Sequence, residues 1–187
     1  MEEDKRKWKT LKSDLIISRP PWLRVRHDVV ELPDGRVNPE FYVLEYPDWV
    51  NVIAITENGK FVMERQYRYG LGSTCVEICA GVMEKGETPE QAARRELEEE
   101  TGYVGGKWEP FMTISGNPST TNNLTHCFIA RGVKQSGKRH LDNTEDLDVT
   151  LMTEEEVYSL LINDEVKQSL MAAPLWKYFA LTCRNGK

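Results

Sequence analysis

Between Glu87 and Glu100 the chain sets six glutamates against Arg94 and Arg95, so 14 residues carry a net charge of −4. If this stretch is helical, Glu96, Glu99 and Glu100 fall at i, i+3 and i+4 on one face, with Ala92, Ala93 and Leu97 available for packing. Like charges at that spacing repel, so a compensating group is expected. Two readings follow. The acids form a solvated face, with Arg95 pairing to Glu99 at i+4. Alternatively they form a cage for a hard divalent cation such as Mg²⁺ or Mn²⁺, which takes oxygen ligands and keeps room for substrate phosphate.

The elements that would hold these acids have local signals of their own. Thr88 is a helix N-cap, Pro89 an N1 residue, Gln91 the partner in a capping box and Gly102 a terminator, which predicts a helix from about Pro89 to Thr101. Before it, Cys75 to Ala80 reads as a strand with Cys75, Glu77 and Cys79 on one face and Val76, Ile78 and Ala80 on the other; Gly81 ends it. Val50 to Thr56 and Phe61 to Tyr67 flank Asn58-Gly59, a tight hairpin signal. Further upstream, Trp22 to Glu31 and Phe41 to Tyr46 flank the turn Leu32 to Arg36, a small antiparallel unit. Leu124 to Arg131 and Leu147 to Met152 read as strands, Thr153 to Glu156 as a second capping box, and Asp164 precedes a helical pattern that Pro174 is expected to interrupt. Strands and helices mix without strict βαβ alternation, which predicts an α+β (mixed) fold. Residues 1–46 are read as a β appendage and 47–187 as the catalytic domain.

Gly81, then five residues, Glu87, then seven residues, then Arg95-Glu96-Leu97-Glu98-Glu99-Glu100-Thr101-Gly102 match the Nudix box, G-x5-E-x7-R-E-U-x-E-E-x-G-U, at every fixed position. Only the final apolar position departs, with Tyr103 in place of an aliphatic residue. The chain therefore resembles the Nudix hydrolases. That resemblance implies an α/β/α sandwich and metal-dependent cleavage of a nucleoside diphosphate linked to another group. It implies Glu96 and Glu100 as metal ligands, Glu99 as an assistant in the metal cluster, the Ala80 carbonyl as a further ligand, and Glu87 with Arg95 as the pair that orients the helix.

Gln66-Tyr67-Arg68, Val76 to Gly81 and Gly86 to Pro89 are similar to the ADP-ribose pyrophosphatase branch, including its N-terminal appendage. Cys79 departs from the proline usual there, and the loop 115–123 lacks the glutamate that some members use as general base. Glu145 is the candidate base by its position before a strand. Arg68 matches an arginine that holds substrate phosphate, a role suited to a bidentate fork, or it pairs with Glu77. Gly81 lies at the expected substrate side of the box. Trp22 and Phe41 match aromatic positions that stack a base, or they are core residues; Trp49 is a rival for the stack.

The whole chain excludes several classes. Lys+Arg 24 against Asp+Glu 30 leaves a net charge of −6, unsuited to nucleic-acid phosphates or anionic lipid. No apolar run is long enough to cross a membrane, and the opening MEEDKRKWKTLK is too charged for a signal peptide, so a cytoplasmic protein is expected. Cys75, Cys79, Cys127 and Cys183 have no zinc-site spacing and are read as reduced thiols; His27, His126 and His140 are read as surface or core residues. The reading is a Mg²⁺-dependent pyrophosphatase acting on ADP-ribose, with GDP-mannose or another nucleotide sugar or dinucleotide, or a non-catalytic nucleotide-sugar sensor, as alternatives. The N-terminal unit is too small to bury its own apolar face, which predicts a homodimer.

Overall fold

In the computed structural model, which describes residues 4–20, 23–135 and 137–185 with side chains to 182, Asn58-Gly59 makes the tight turn. Gly59 takes a positive φ of 74°, and the turn closes with the Thr56 amide donating to the Lys60 carbonyl at 2.8 Å. This turn joins β4 (Trp49–Thr56) to β5 (Phe61–Arg68), and β6 (Ser73–Val82) lies beside both. The strand runs through Gly81 to Val82 instead of ending at the glycine. The remaining strands of this sheet are β7 (Tyr103–Ile114), β8 (Thr125–Gln135) and β9 (Leu147–Met152). The order is β7-β8-β4-β6-β5-β9; β4 and β8 run parallel and the other pairs antiparallel.

Helices cover both faces of this mixed sheet. On one face Val50, Val52, Val62 and Cys79 pack against Ala92, Ala93 and Leu97 of the acidic helix. On the other, Ile53, Phe61, Met63 and Ile78 pack against Val157 and Leu161 of α2 (Glu154–Ile162) and Met171, Leu175 and Phe179 of α3 (Ser169–Asn185). The result is the α/β/α sandwich expected. Full burial of such aliphatic and aromatic side chains stabilises by about 1.5–3 kcal/mol each.

Two elements differ from expectation. Pro174 lies inside α3 and does not interrupt it. Proline cannot donate to the carbonyl four residues back; that carbonyl, on Leu170, accepts instead from Asn51 Nδ2 at 2.7 Å. The second is β7, which carries Gly105-Gly106 and Pro110 and gave no strand signal. It lies at the sheet edge, where proline is tolerated.

The chain forms two compact units: residues 1–47 with 115–123, and 48–114 with 124–187. The first is a three-stranded antiparallel sheet of β1 (Lys9–Arg19), β2 (Leu23–Glu31) and β3 (Val37–Leu44), in that order. Segment 115–123 joins it through a parallel bridge between Leu44 and Thr121. Strand β1 was not anticipated, because its residues are almost all exposed and show no buried face.

Candidate active site

The acidic segment begins as α1 (Pro89–Glu96), with Thr88 capping it and both halves of the capping box formed with Gln91. At Leu97–Thr101 it opens into a π-helical turn, and Gly102, at φ 73°, ends it. The regular i, i+3, i+4 face predicted for Glu96, Glu99 and Glu100 is therefore modified. Glu96 and Glu100 are buried, at 9% and 6% exposure, whereas Glu99 stays half-exposed.

Arg95 is the hub of the exposed side of this segment. Its Nε and Nη2 bind the two Glu87 oxygens at 2.8 and 2.9 Å, and Nη1 reaches Glu96 at 2.8 Å and Glu99 at 3.0 Å. Nη2 also donates to the Val82 carbonyl at 3.0 Å, which ties the helix to the end of β6. The guanidinium holds the Glu87 carboxyl below the usual carboxylate range. Both the Arg95–Glu99 pairing and the Glu87–Arg95 pairing foreseen from the sequence are present.

Gly81 has a steric reason to be glycine. A Cβ there would lie 2.0 Å from the Glu96 carboxyl carbon, so the missing side chain is the space that the Glu96 carboxylate occupies. Next to it, the Ala80 amide donates to Glu100 Oε2 at 3.3 Å. Burial pushes Glu96 up, against the pull of Arg95. It pushes Glu100 up to about 7, with the charges of Glu96 and Glu145 adding to the effect and the Cys79 thiol and Ala80 amide opposing it. Two buried carboxylates at one stretch of backbone, of which Arg95 meets only Glu96, form a donor set that a divalent cation would neutralise.

Glu145 lies near enough for its charge to raise both Glu96 and Glu100. Its own carboxylate accepts the Asp142 amide at 2.9 Å, which fixes the loop before β9. The same loop is latched to the end of the acidic segment. Arg139 Nε donates to the Glu100 carbonyl at 2.7 Å and its Nη2 to the Leu147 carbonyl at 2.9 Å, while the His140 amide donates to the Glu99 carbonyl. Sequence reasoning missed Arg139, whose only signal is a cation shortly before β9.

Arg68 forks onto Glu77 through Nε, at 3.1 and 3.2 Å, and through Nη2; Glu77 is 2% exposed. The structural pairing is thus made, through Nε and Nη2, on a guanidinium that is itself partly exposed. Phe41 belongs to the N-terminal unit, where it meets Trp8 edge-on at 5.8 Å. Trp22 lies outside the described residues. The sequence also missed Glu64 on β5, whose burial, with the charges of Glu100 and Glu77, pushes its carboxyl well above the usual range. A strand residue flanked by Met63 and Arg65 offers no local sign of such a position.

Comparison with known proteins matches this geometry. Residues 46–173 match the NUDIX domain, and residues 8–44 match the nucleoside diphosphate sugar hydrolase N-terminal domain. An ADP-ribose pyrophosphatase of Bacillus subtilis is 39% identical over 138 residues, 73% of this chain and 74% of that protein. A methanol dehydrogenase activator of Bacillus methanolicus is 36% identical over 162 residues, 86% of each. The crystal structure of an ADP compounds hydrolase superposes with a TM-score of 0.83 over 98% of both chains at 19% identity, a likeness of fold. With the NUDIX domain matched over most of its length and the box intact on the helix that packs against the sheet, this chain belongs to the Nudix hydrolase family.

Proposed function

We propose that the chain hydrolyses nucleoside diphosphate sugars, with ADP-ribose the favoured substrate, giving AMP and ribose 5-phosphate, in the presence of Mg²⁺. The observation that carries this reading is the pair of buried carboxylates, Glu96 and Glu100, brought to the Ala80–Gly81 backbone by the Arg95–Glu87 clamp. The name of the Bacillus subtilis relative and the N-terminal domain match support the substrate class.

In this reading Glu96, Glu100 and the Ala80 carbonyl hold the cation, with Glu99 assisting. The ion supplies neutralisation of pyrophosphate charge and a lowered water pKa. Glu145 takes the proton of the attacking water with whichever carboxylate oxygen is turned to the site. Arg68 turns its remaining N–H groups to phosphate while Glu77 holds its plane, which suits the bidentate geometry of guanidinium and phosphate. Gly81 leaves the backbone bare beside the carboxylates. Trp22 and Phe41 stack the base. Residues 1–46 serve base binding and dimerisation. Leu11, Leu15, Ile16 and Ile17 are exposed on β1, an edge strand, which supports a homodimer in which this strand is covered. Among the described residues no helix is long and apolar enough to cross a membrane; a cytoplasmic enzyme remains part of the proposal.

The test is purified protein with Mg²⁺ and a panel of ADP-ribose, ADP-glucose, GDP-mannose, NADH and diadenosine polyphosphates, scored for released monophosphate. ADP-ribose should be cleaved with the highest kcat/KM. A panel that shows cleavage of none of them overturns the reading. The NADH arm carries weight because the Bacillus methanolicus relative is named for a dehydrogenase. Light scattering should give about twice 21.5 kDa.

A further inference from the structure

Two buried reactive groups beside the site take no part in the proposed hydrolysis. Glu64 on β5 faces the same side of the sheet as Val62, and Cys79 on β6 lies diagonally across from it, since Glu64 pairs with Glu77 in the strand register. Glu100 reaches them from the π-helical turn. One donor atom from each of Glu64, Cys79 and Glu100 lies within 4.8 Å of the others. The three residues are 4%, 0% and 6% exposed.

The cluster has no cation of its own among the described residues. Glu64 Oε1 is buried with no hydrogen-bond partner. Arg68, the guanidinium on the same strand, turns Nε and Nη2 to Glu77 and not to this cluster, and Arg95 bonds Glu87, Glu96 and Glu99. A buried, unpaired carboxylate costs several kcal/mol unless a proton or a cation meets it. We infer that Glu64, Cys79 and Glu100 form a second divalent-cation site, with a sulfur ligand, that takes a borderline-soft ion of the Zn²⁺ class.

The chemistry of the donors favours that class. Thiolate selects Zn²⁺-like ions over Mg²⁺, whereas an all-oxygen set would not. With Zn–S at about 2.3 Å and Zn–O at about 2.1 Å, tetrahedral ligand atoms stand about 3.5 Å apart. Side chains already gathered within 4.8 Å reach that spacing by small rotations. Three protein ligands leave a fourth position open, the pattern of reactive rather than purely structural zinc sites. The inference rests on the proposed function only through Glu100, which would serve both ions.

Co²⁺ added to the metal-free full chain tests it, because cobalt bound to thiolate absorbs in the near ultraviolet through sulfur-to-metal charge transfer. The wild type should show this band, and Cys79→Ser should lose it. Glu64→Gln should keep the band but bind Co²⁺ about 10-fold or more weakly. Glu96 lies outside the three, so Glu96→Gln should retain the band even as it lowers Mg²⁺-dependent hydrolysis by about 10²–10³-fold. The two readings therefore fail separately. No band in the wild type, or a band that persists in Cys79→Ser, overturns the site, with Glu64 then sharing a proton with Glu100. If circular dichroism shows Cys79→Ser misfolded, Glu64→Gln decides: undiminished Co²⁺ affinity there overturns the site, and weakened affinity supports it.

Discussion

In the N-terminal sheet, Asp28 is 3% exposed, yet Arg26 Nε holds both of its oxygens at 2.9 Å. Arg26 Nη1 continues to Glu45 at 2.6 Å, and Arg24 joins Glu45 at 3.2 Å. The acids there are met by arginines of the same sheet. In the other unit Glu64, Glu77, Glu96 and Glu100 are all buried, and among the described residues Arg68 pairs with Glu77 and Arg95 with Glu96, with no ion pair to Glu64 or Glu100. In one region the buried acid, Asp28, is paired as folded. The other buries more carboxyl groups than the arginines it brings to them, the arrangement on which the proposed cation site rests.

The contrast can be broken most sharply at its strongest point. Glu96→Gln or Glu100→Gln should lower turnover by about 10²–10³-fold, because on the proposed reading each would remove a negative ligand of the cation, about 3–4 kcal/mol of barrier. The same variants should melt at or above the wild-type temperature in chelator, since a repelling buried charge is gone. Near wild-type turnover at limiting Mg²⁺ would refute the ligand assignment. Gly81→Ala should follow closely in effect. The new Cβ displaces the Glu96 carboxylate, the flexible end of a side chain, so activity falls while circular dichroism stays native. Full activity in this variant would show that Glu96 has no fixed place.

A third measurement sharpens the comparison through pH. Glu100 faces Glu96, Glu145, Glu64 and Cys79, and its carboxyl is raised from 4.5 to about 7. A raised acid stabilises the fold while protonated: the contribution is complete below the unfolded value and is lost as pH climbs through about 7. Chelated protein should therefore lose up to about 3 kcal/mol between pH 5 and 8, and added Mg²⁺ should abolish the slope. Thermal melts at both pH values, with and without metal, check this; a flat profile in chelator would remove the excess of buried carboxyl groups from the argument. The smallest effect belongs to the N-terminal sheet. Glu45 is held below the usual carboxylate range by Arg24 and Arg26, so its stabilisation is present above the ordinary carboxylate pKa and is lost as pH falls. Glu45→Gln should cost less than about 1 kcal/mol at pH 7, since the pair is partly exposed, and nothing at pH 3. An equal cost at both pH values would point to packing in place of charge.

What could be read from the residues divides along the same physical line. Thr88, Pro89, Gln91 and Gly102 bound the acidic segment because caps act within a few residues of themselves. The strand faces of Cys75 to Ala80 were legible because the period is local. Pro174 was misleading because the donor that satisfies Leu170, Asn51, lies 119 positions away from it. Glu64 was silent for the same reason: its significance lies in Cys79 and Glu100, which come from other elements. Strand β1 gave no burial pattern because it has no buried face.

The widened turn at Leu97–Thr101 has a consequence for how such a chain can vary. A π turn is in effect an α-helix carrying one additional residue. Each residue of a regular helix advances by about 100°. Loss of a single residue between Leu97 and Thr101 would let the segment relax to an ordinary helix and swing Glu100 about that far from the Ala80 amide it now meets. Exposed Glu98 can change identity with little effect on that meeting, yet its removal from the chain would undo it. For this stretch length is as strict a constraint as composition, so among variants of this chain deletions here should be purged where substitutions persist.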